Sequence, residues 1–465
     1  MNTLAVSNML YVGIDIGKAS HYAGFVSTNL LTRYRRFESC PNLSFAQSRT
    51  GFVQLVQRMQ EYAPLDQCIV LLERTGHYHL LLKQYLQEQG VMLYEMHVQK
   101  RENRDKTDKR DSLSLANHLY NQLEKSVQFS ESTKLARLVH PPTETAIFLR
   151  SLVKHREELI WESTQRKNKL TSICDELFPE LTTIMKNPNS QTALNVREKY
   201  ATAADVASAT IDDLLACRVS YRLVDIHMEA LRALAVSSIG TRDPGRLRSL
   251  TMQQRQMIAE LRLLTTHIAE IEQEIIATLE TSREGQILTS LPVIGPTQAA
   301  ILLALIGNIH NFSRPAQLKS YCGWSPRHEQ TGTSVNVVKL TPGGNPVLKR
   351  TMYLVAMNAV RLDTEWRDLY QRLVPVKCKF DERKGVYYGR MKVIGRVAGQ
   401  IITLVYTLLK KDATLLASLA EGEQAPPPVL YDRVVHHAHR AGSYRRADTL
   451  PLGSPPPLVE KLHNE

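Results

Sequence analysis

The chain has no CxxC pair and no close Cys/His grouping; Cys40, Cys68, Cys174, Cys217, Cys322 and Cys378 lie scattered along 465 residues. That spacing excludes a zinc-ribbon or disulfide scaffold and predicts a reducing setting. Long apolar runs are also missing. The run over 299–306 is among the longest, far below the ~20 residues that span a bilayer. Residues 1–7 carry no basic stretch, so neither a secretory leader nor a membrane anchor is expected, and the location expected is cytoplasmic. Acids are in deficit. The 46 Asp and Glu face 58 Lys and Arg, and the formal charge of +12 suits a polyanionic partner such as a phosphate backbone. A hydrophobic fraction of 43% is enough for real cores, and the length allows two or three domains.

What is present is a set of acids at the ends of apolar runs. Leu10-Tyr-Val-Gly-Ile-Asp15 reads as a buried strand ending in an acid before Gly17. Residues 21–26 and 31–37 read as two further strands of a meander. Thr50 can cap a helix to Tyr62 with Phe52, Leu55, Val56 and Met59 on one face. Cys68-Ile-Val-Leu-Leu-Glu73 is another strand ending in an acid, followed by a Thr75-Gly76 turn, a helix over 80–89 stopped by Gly90, and a strand over 91–98. Lys106-Thr-Asp-Lys-Arg-Asp111 then opens a helix through Leu115 and Leu119. Three strands, helix, strand, helix, strand, helix is the element order of an RNase H-like α/β domain, expected over 8–125.

Two aspartates three apart on a helix share a face. Carboxylates converging on one point repel unless a cation sits between them, and a divalent metal is the usual filler. In an RNase H-like sheet the ends of the buried strands lie beside the start of the last helix, so Asp15, Glu73, Asp108 and Asp111 would meet. Singly, each has an ordinary explanation, because Asp is favoured in a first helical turn and acids often end strands. Three distant segments in the right order favour a site for Mg²⁺ or Mn²⁺. Lys106, Lys109 and Arg110 beside it are candidates for contacting nucleic acid.

Pro141-Pro142 marks a boundary. A long helix from Thr143 to about residue 177, and a seam of Ile258, Leu261, Leu264, Ile268, Ile271, Ile275 and Leu279, predict a helical coiled-coil region over 141–284. The two helices would pack as an antiparallel pair or across a dimer. Basic residues on the first, such as Arg150, Lys154, Arg156 and Arg166, either contact nucleic acid or form a charged coiled-coil surface. A mainly α domain is expected over 285–412. Its turn Leu291-Pro-Val-Ile-Gly295 can hold a phosphate on backbone amides, or is an ordinary helix corner. A hydroxyl-rich loop from Tyr321 to Ser334 includes Arg327 and leads through Lys339 and Gly343-Gly344 to Lys349-Arg350. Such a loop either binds phosphate or carries a nucleophile. Residues 413–465, rich in Pro, Arg and His, read as a disordered basic tail.

Gly13-Ile-Asp15, Glu73-Arg-Thr-Gly-His-Tyr78, Lys106-Thr-Asp-Lys-Arg-Asp111, Leu291-Pro-Val-Ile-Gly295 and Tyr321-Cys-Gly-Trp-Ser-Pro326 occur in this order. Together they resemble the insertion-sequence one-ten family of DEDD transposases, a group that includes the pilin-gene invertase. The resemblance runs over roughly 8 to 410. It implies a RuvC-like N-terminal domain, a coiled-coil middle and a C-terminal transposase domain. It also implies a homodimer or tetramer acting on DNA, associated with the nucleoid, and in some members directed by a structured bridge RNA. Carried over by position, Asp15, Glu73, Asp108 and Asp111 are the metal-binding tetrad. Family members have a nucleophilic serine before a glycine in the C-terminal loop; here that stretch is Gln330-Thr331-Gly332. Thr331 is therefore the expected nucleophile and Ser334 its rival, with Arg327 and Lys339 available to stabilise charge on the phosphate. The function expected is DNA cutting and rejoining in transposition. The alternatives are a Holliday-junction-type nuclease acting through water and an inactive nucleic-acid-binding scaffold.

Overall fold

The computed structural model describes residues 9–435 except 75–76, 98–106, 125–136, 220–223, 332–334, 341–342, 363 and 421. The chain forms two compact units, Met1–Pro142 with His310–Ser313, and Thr143–Ile309 with Arg314–Glu465.

In chain order the first unit contains β1 (Leu10–Asp15), β2 (Ser20–Val26), α1 (Thr28–Tyr34), β3 (Asn42–Ala46), α2 (Arg49–Gln60), β4 (Cys68–Arg74), α3 (His79–Glu88), β5 (Met92–His97), α4 (Asp108–Leu123) and β6 (Arg137–Leu138). The strands form one sheet in the order β3-β2-β1-β4-β5-β6. β2 and β3 run antiparallel to their neighbours, whereas β4 and β5 run parallel to β1. Parallel pairing needs a crossover at each return, and α2 and α3 supply the two crossovers. Successive residues Val70, Leu71 and Leu72 are all fully buried, so both faces of β4 are covered. Phe52, Leu55, Val56 and Met59 of α2 join this core.

The strand expected over 31–37 is instead the end of α1. The Ser27 hydroxyl accepts from the Leu30 amide at 3.1 Å and starts a helix that buries Leu30. It ends at Arg35 in the left-handed region, φ 62°. The third strand of the meander is β3, eight residues later, paired with β2 through Tyr22 and Ser44.

The second unit opens with α5 (Glu144–Leu177), capped by the Thr143 hydroxyl on the Ala146 amide at 3.3 Å. Five shorter helices follow: α6 (Leu181–Ile184), α7 (Gln191–Lys199), α8 (Ala203–Ser208), α9 (Ile211–Leu215) and α10 (Asp225–Val236). α11 (Pro244–Thr281) then returns along α5. Ion pairs Arg156–Glu272, Arg166–Glu260 and Arg246–Glu176 step up one helix and down the other, so the pair is antiparallel and within one chain. These pairs are partly exposed and contribute little energy. Burial of Ile258, Leu261, Leu264, Ile275 and Leu279 contributes more.

The remainder is α12 (Arg283–Thr289), α13 (Pro296–Ile306), α14 (Pro315–Tyr321), the hairpin β7 (Pro326–Thr331) and β8 (Val335–Leu340), α15 (Pro346–Arg361), α16 (Glu365–Lys377), the hairpin β9 (Lys379–Asp381) and β10 (Val386–Tyr388), and α17 (Met391–Ala417). Length and composition alone would let α17 cross a membrane. Its apolar side, including Val393, Val397, Ile401 and Val405, is buried in this unit, where α14, α15 and α16 pack on it.

Residues 426–431, expected as part of a disordered tail over 413–465, are held by hydrogen bonds in the second unit. α17 continues to Ala417, and Asp412 is buried beneath the segment that follows. Its carboxylate accepts from Arg283 Nε at 2.6 Å, from the second guanidinium arm at 2.8 Å and from the Val429 amide at 3.0 Å. Arg283 also donates to the carbonyls of Pro426 and Pro427, and the Tyr431 amide donates to Ser290 Oγ at 2.9 Å. Prolines favour extended backbone here, outside any helix that would take up these carbonyls. Residues 436–465 lie outside the described ones.

Candidate active site

Ile14 pairs with Leu72, so Asp15 and Glu73 follow directly on two adjacent parallel strands. Side chains alternate between the faces of a sheet, and paired residues of neighbouring strands point the same way. Asp15 and Glu73 therefore share the face of Gly13 and Leu71. Both acids are half-buried, in contrast to the fully buried Ile14 and Leu72.

α4 covers that face. A Cβ on Gly13 would lie 2.2 Å from the Ala116 amide nitrogen and 2.3 Å from the Ser112 carbonyl oxygen, so only glycine lets the helix come so near. Gly24 on β2 plays the same part, 2.6 Å from the Leu113 nitrogen by the same measure. α4 runs opposite to β1. Tyr11 meets Tyr120 edge-on at 5.5 Å, and its hydroxyl donates to Glu124 at 2.9 Å. Two residues further along β1, Gly13 meets Ser112 and Ala116. Two strand residues advance about 6.6 Å, which about four helical residues span. One more such step brings Asp15 level with the first turn of α4, which carries Asp108 and Asp111. Thr107 caps that turn through the Arg110 amide at 3.4 Å, and the helix dipole favours carboxylates there. Asp111 is half-buried and Asp108 exposed.

The four acids thus come from three segments: the C-terminal ends of the two central strands and the first turn of α4. Among the described residues, however, no three Asp, Glu, His or Cys side chains stand close enough to hold a metal ion. Asp15 and Asp111 each interact with another group. As a donor set, four carboxylates offer only hard oxygens and fit Mg²⁺ or Mn²⁺ rather than a soft metal.

A buried network at the same strand ends was not expected from the sequence. His21 lies on β2 with 0% exposure. Its Nδ1 accepts from the Gly17 amide at 3.3 Å, which fixes the neutral tautomer with the proton on Nε2. Nε2 donates to Gln47 Oε1, and Gln47 Nε2 donates to the Tyr78 carbonyl at 3.0 Å. The relay ties the turn after Asp15 to the segment after Glu73. Burial lowers the His21 pKa from its ordinary value, with the Gln47 hydrogen bond acting the other way. The signal available in the sequence was a histidine inside an otherwise apolar strand.

The other candidates are in the second unit. The expected loop from Tyr321 to Ser334 is largely the β7–β8 hairpin, where Arg327 pairs with Lys339 and Thr331 with Val335. Val335, Val337 and Val338 favour extended backbone, which is why the segment pairs rather than loops. Two glycines with positive φ close its base: Gly323 at 72° and Gly344 at 100°. A Cβ on Gly344 would lie 2.5 Å from the Gly323 nitrogen, and the Asn345 amide donates to the Tyr321 carbonyl at 2.7 Å. Ser334 and Lys106 lie outside the described residues. Lys109, Arg110 and Arg350 are exposed, and Lys349 is half-buried on α15. Gly295 is the N-cap of α13, but Pro296 follows it and removes one of the amides that would face a phosphate.

Residues 12–179 match the family model of IS110-type DEDD transposases, and residues 285–371 match the model described as the Transposase IS116/IS110/IS902 family. Together the matches cover more than half of the chain. The insertion element IS110 uncharacterized 43.6 kDa protein of Streptomyces coelicolor is 30% identical over 279 residues, 57% of this chain and 64% of that protein. The IS116 uncharacterized 44.8 kDa protein of Streptomyces clavuligerus is 23% identical over 232 residues, 49% of this chain and 57% of that one. The pilin gene-inverting protein of Moraxella lacunata is 27% identical over 143 residues, 31% and 42% of the two chains. The chain spans less than two thirds of the length of each of these relatives.

Proposed function

We propose, for a chain that belongs to the IS110/IS116/IS902 family of insertion-sequence transposases, that it cuts and rejoins DNA strands during transposition. The first unit is then an RNase H-like domain of the RuvC type, and residues 285–412 are the transposase domain, separated by a coiled-coil region. The observation that carries the reading is the register at the strand ends. Asp15 and Glu73 follow the paired Ile14 and Leu72, and α4 lies on the face that Asp15 shares with Gly13.

Asp15, Glu73, Asp108 and Asp111 would hold a divalent cation. When bound, such an ion supplies Lewis-acid stabilisation of charge on the scissile phosphate. The Thr331 hydroxyl would attack phosphorus, forming a phosphothreonine ester while the bond to the leaving DNA oxygen breaks and that oxygen takes up the proton. Rejoining reverses the step with an incoming DNA hydroxyl, so the phosphodiester energy is kept and no nucleotide is consumed. Arg327 and Lys339 would stabilise the phosphate. Lys106, Lys109, Arg110, Lys349 and Arg350 would contact the DNA backbone. The same reading makes element ends and target DNA the substrates. It makes a bridge RNA and further copies of the chain, in a homodimer or tetramer, the partners, in a cytoplasmic, nucleoid-associated setting.

A suicide DNA substrate tests the proposal. A denaturation-resistant adduct should form with Mg²⁺ and disappear with a chelator, with Asp15→Asn, with Asp111→Asn and with Thr331→Ala. Cleavage without any adduct would replace the covalent step by attack of water, as in a nuclease. Loss of adduct in Ser334→Ala alone would move the nucleophile to Ser334.

A further inference from the structure

Residues 377–392, where α16 gives way to α17, hold six Lys and Arg against two acids, with Phe380, Tyr387 and Tyr388 among them. Val, Phe and Tyr favour extended backbone, and the segment folds as the β9–β10 hairpin, a two-stranded sheet of its own. Its turn is local. Asp381 Oδ1 accepts from the Arg383 amide at 3.0 Å and from the Lys384 amide at 3.2 Å, and Gly385 takes a φ of 61°. Gly389, at φ 83°, turns the chain out of the hairpin. A Cβ on either glycine would meet nothing within 4 Å, so both ends of β10 border open space.

Register sorts the side chains onto two faces. Phe380 pairs with Tyr387, and their ring centroids stand 4.7 Å apart on one face. Tyr388 pairs with Lys379 on the other. Cross-strand contact of the first kind stabilises a ribbon and needs no ligand. It does not account for Phe380 remaining 47% exposed, or for Tyr388, equally exposed, on the opposite face. The charges are as one-sided as the rings are open. Asp381 is used by the turn, and Arg390 hydrogen-bonds Tyr370 of α16. That leaves Lys379, Arg383 and Lys384 exposed on the hairpin, with Glu382 against them. Open rings with cations between them suit a ligand that has flat faces and a repeating negative charge. A nucleic-acid strand has both, and its base faces are open only where it is unpaired.

We propose that the β9–β10 hairpin is a docking ribbon for unpaired DNA, with bases stacked on Phe380 and Tyr388 and backbone phosphates held by Lys379, Arg383 and Lys384. The inference rests on the DNA-processing reading above, in which exchanging strands separates bases from their partners. None of the five is a catalytic group.

The test uses the full chain and fluorescence anisotropy with a labelled oligothymidylate, a DNA duplex of equal length and an oligouridylate, each across a salt series. Tyr388→Ala should weaken oligothymidylate binding about 5- to 150-fold, the range for loss of one stacked base, with the salt slope kept. Tyr388→Trp should restore the affinity. Tyr388→Leu, which keeps apolar bulk without the ring, should not. Lys379→Gln, Arg383→Gln and Lys384→Gln combined should lower the slope of log binding constant against log salt by about 2, at about 0.7 for each phosphate contact on a single strand. Because Tyr388 is exposed, its variants should keep the wild-type Tm. A wild type that does not bind oligothymidylate overturns the ribbon, as does full affinity in Tyr388→Ala or in Tyr388→Leu. Parallel falls in Tm and affinity across all three Tyr388 variants assign the ring to folding and overturn it too. An equal fold loss on the duplex overturns the assignment to unpaired bases. Stacking tolerates either sugar, so a loss on oligouridylate is expected beside that on oligothymidylate, whereas a loss confined to oligouridylate overturns the assignment to DNA. If the variants bind like wild type while the protein still cuts DNA, the ribbon falls and the transposase reading stands. If the wild type cuts no DNA yet the variants lose oligothymidylate binding, that reading falls and the ribbon stands.

Discussion

Gly13→Ala is the sharpest perturbation of the candidate site that leaves its acids untouched. The added carbon would lie 2.2 Å from the Ala116 nitrogen, 2.3 Å from the Ser112 carbonyl oxygen and 2.6 Å from Leu115 Cβ, where ordinary contact begins at 3.4 Å. No side-chain rotation relieves contacts of this kind, so α4 must retreat by the difference, 1.2 Å at its worst point. Overpacking of this size costs about 1–3 kcal/mol, which for the first unit is a fall in Tm of about 3–10 °C. The retreat also carries Asp108 and Asp111 away from Asp15 and Glu73, and a misplacement of about 1 Å can cost about 10²-fold in rate. Gly24→Ala meets the same helix less closely, at 2.6 Å, and should do less on both counts. Thermal unfolding followed by circular dichroism, with strand cleavage measured in parallel at a temperature where both variants are folded, checks the pair. Wild-type Tm and cleavage in Gly13→Ala, or a larger loss in Gly24→Ala, would refute the helix-against-strand argument.

Two further outcomes follow from buried groups. Burial holds His21 below its ordinary pKa of 6.5, so as the pH falls below that value the unfolded chain takes up the proton first and stability is lost. The fall in Tm from pH 7.5 to 5 should therefore be steeper in wild type than in His21→Gln; equal slopes would show that His21 contributes nothing to acid sensitivity. Asp412→Ala strips both carboxylate bonds from Arg283 and the acceptor from Val429, and should cost about 3 kcal/mol in urea unfolding. It should also make the segment around residues 426–431 sensitive to protease. A loss below about 0.5 kcal/mol would mean that the tail segment is not held by this pair.

The parts of the fold that could be read in advance are those where one local rule dominates. β1 and β4 are unbroken apolar runs, and α2, α5 and α11 repeat apolar residues at helical spacing over many turns. The misread parts are short or governed by distant partners. Residues 28–34 contain β-formers, yet Ser27 capping and the burial of Leu30 make them a helix. The hydroxyl-rich stretch from Tyr321 to Ser334 suggests a loop, but Pro326–Thr331 pairs as a strand with Val335–Leu340. The proline-rich segment near 426 looks disordered until Arg283, more than a hundred residues away, takes its carbonyls.

By itself the sequence determined the apolar strands β1 and β4, the long helices α5 and α11 and the excess of positive charge, because each depends on residue type and near-neighbour spacing. Tertiary structure alone decided which acids stand side by side. Asp15 and Glu73 follow paired residues of adjacent strands, and α4 comes so near β1 only because Gly13 and Gly24 let a helix lie almost on the strand backbone. Likewise, nothing local in the sequence announces that His21 links the turns after two different strands. Spacing along a chain sets the direction of a side chain. Which other side chain it meets depends on how closely two backbones can approach, and here glycines and buried hydrogen bonds set that distance.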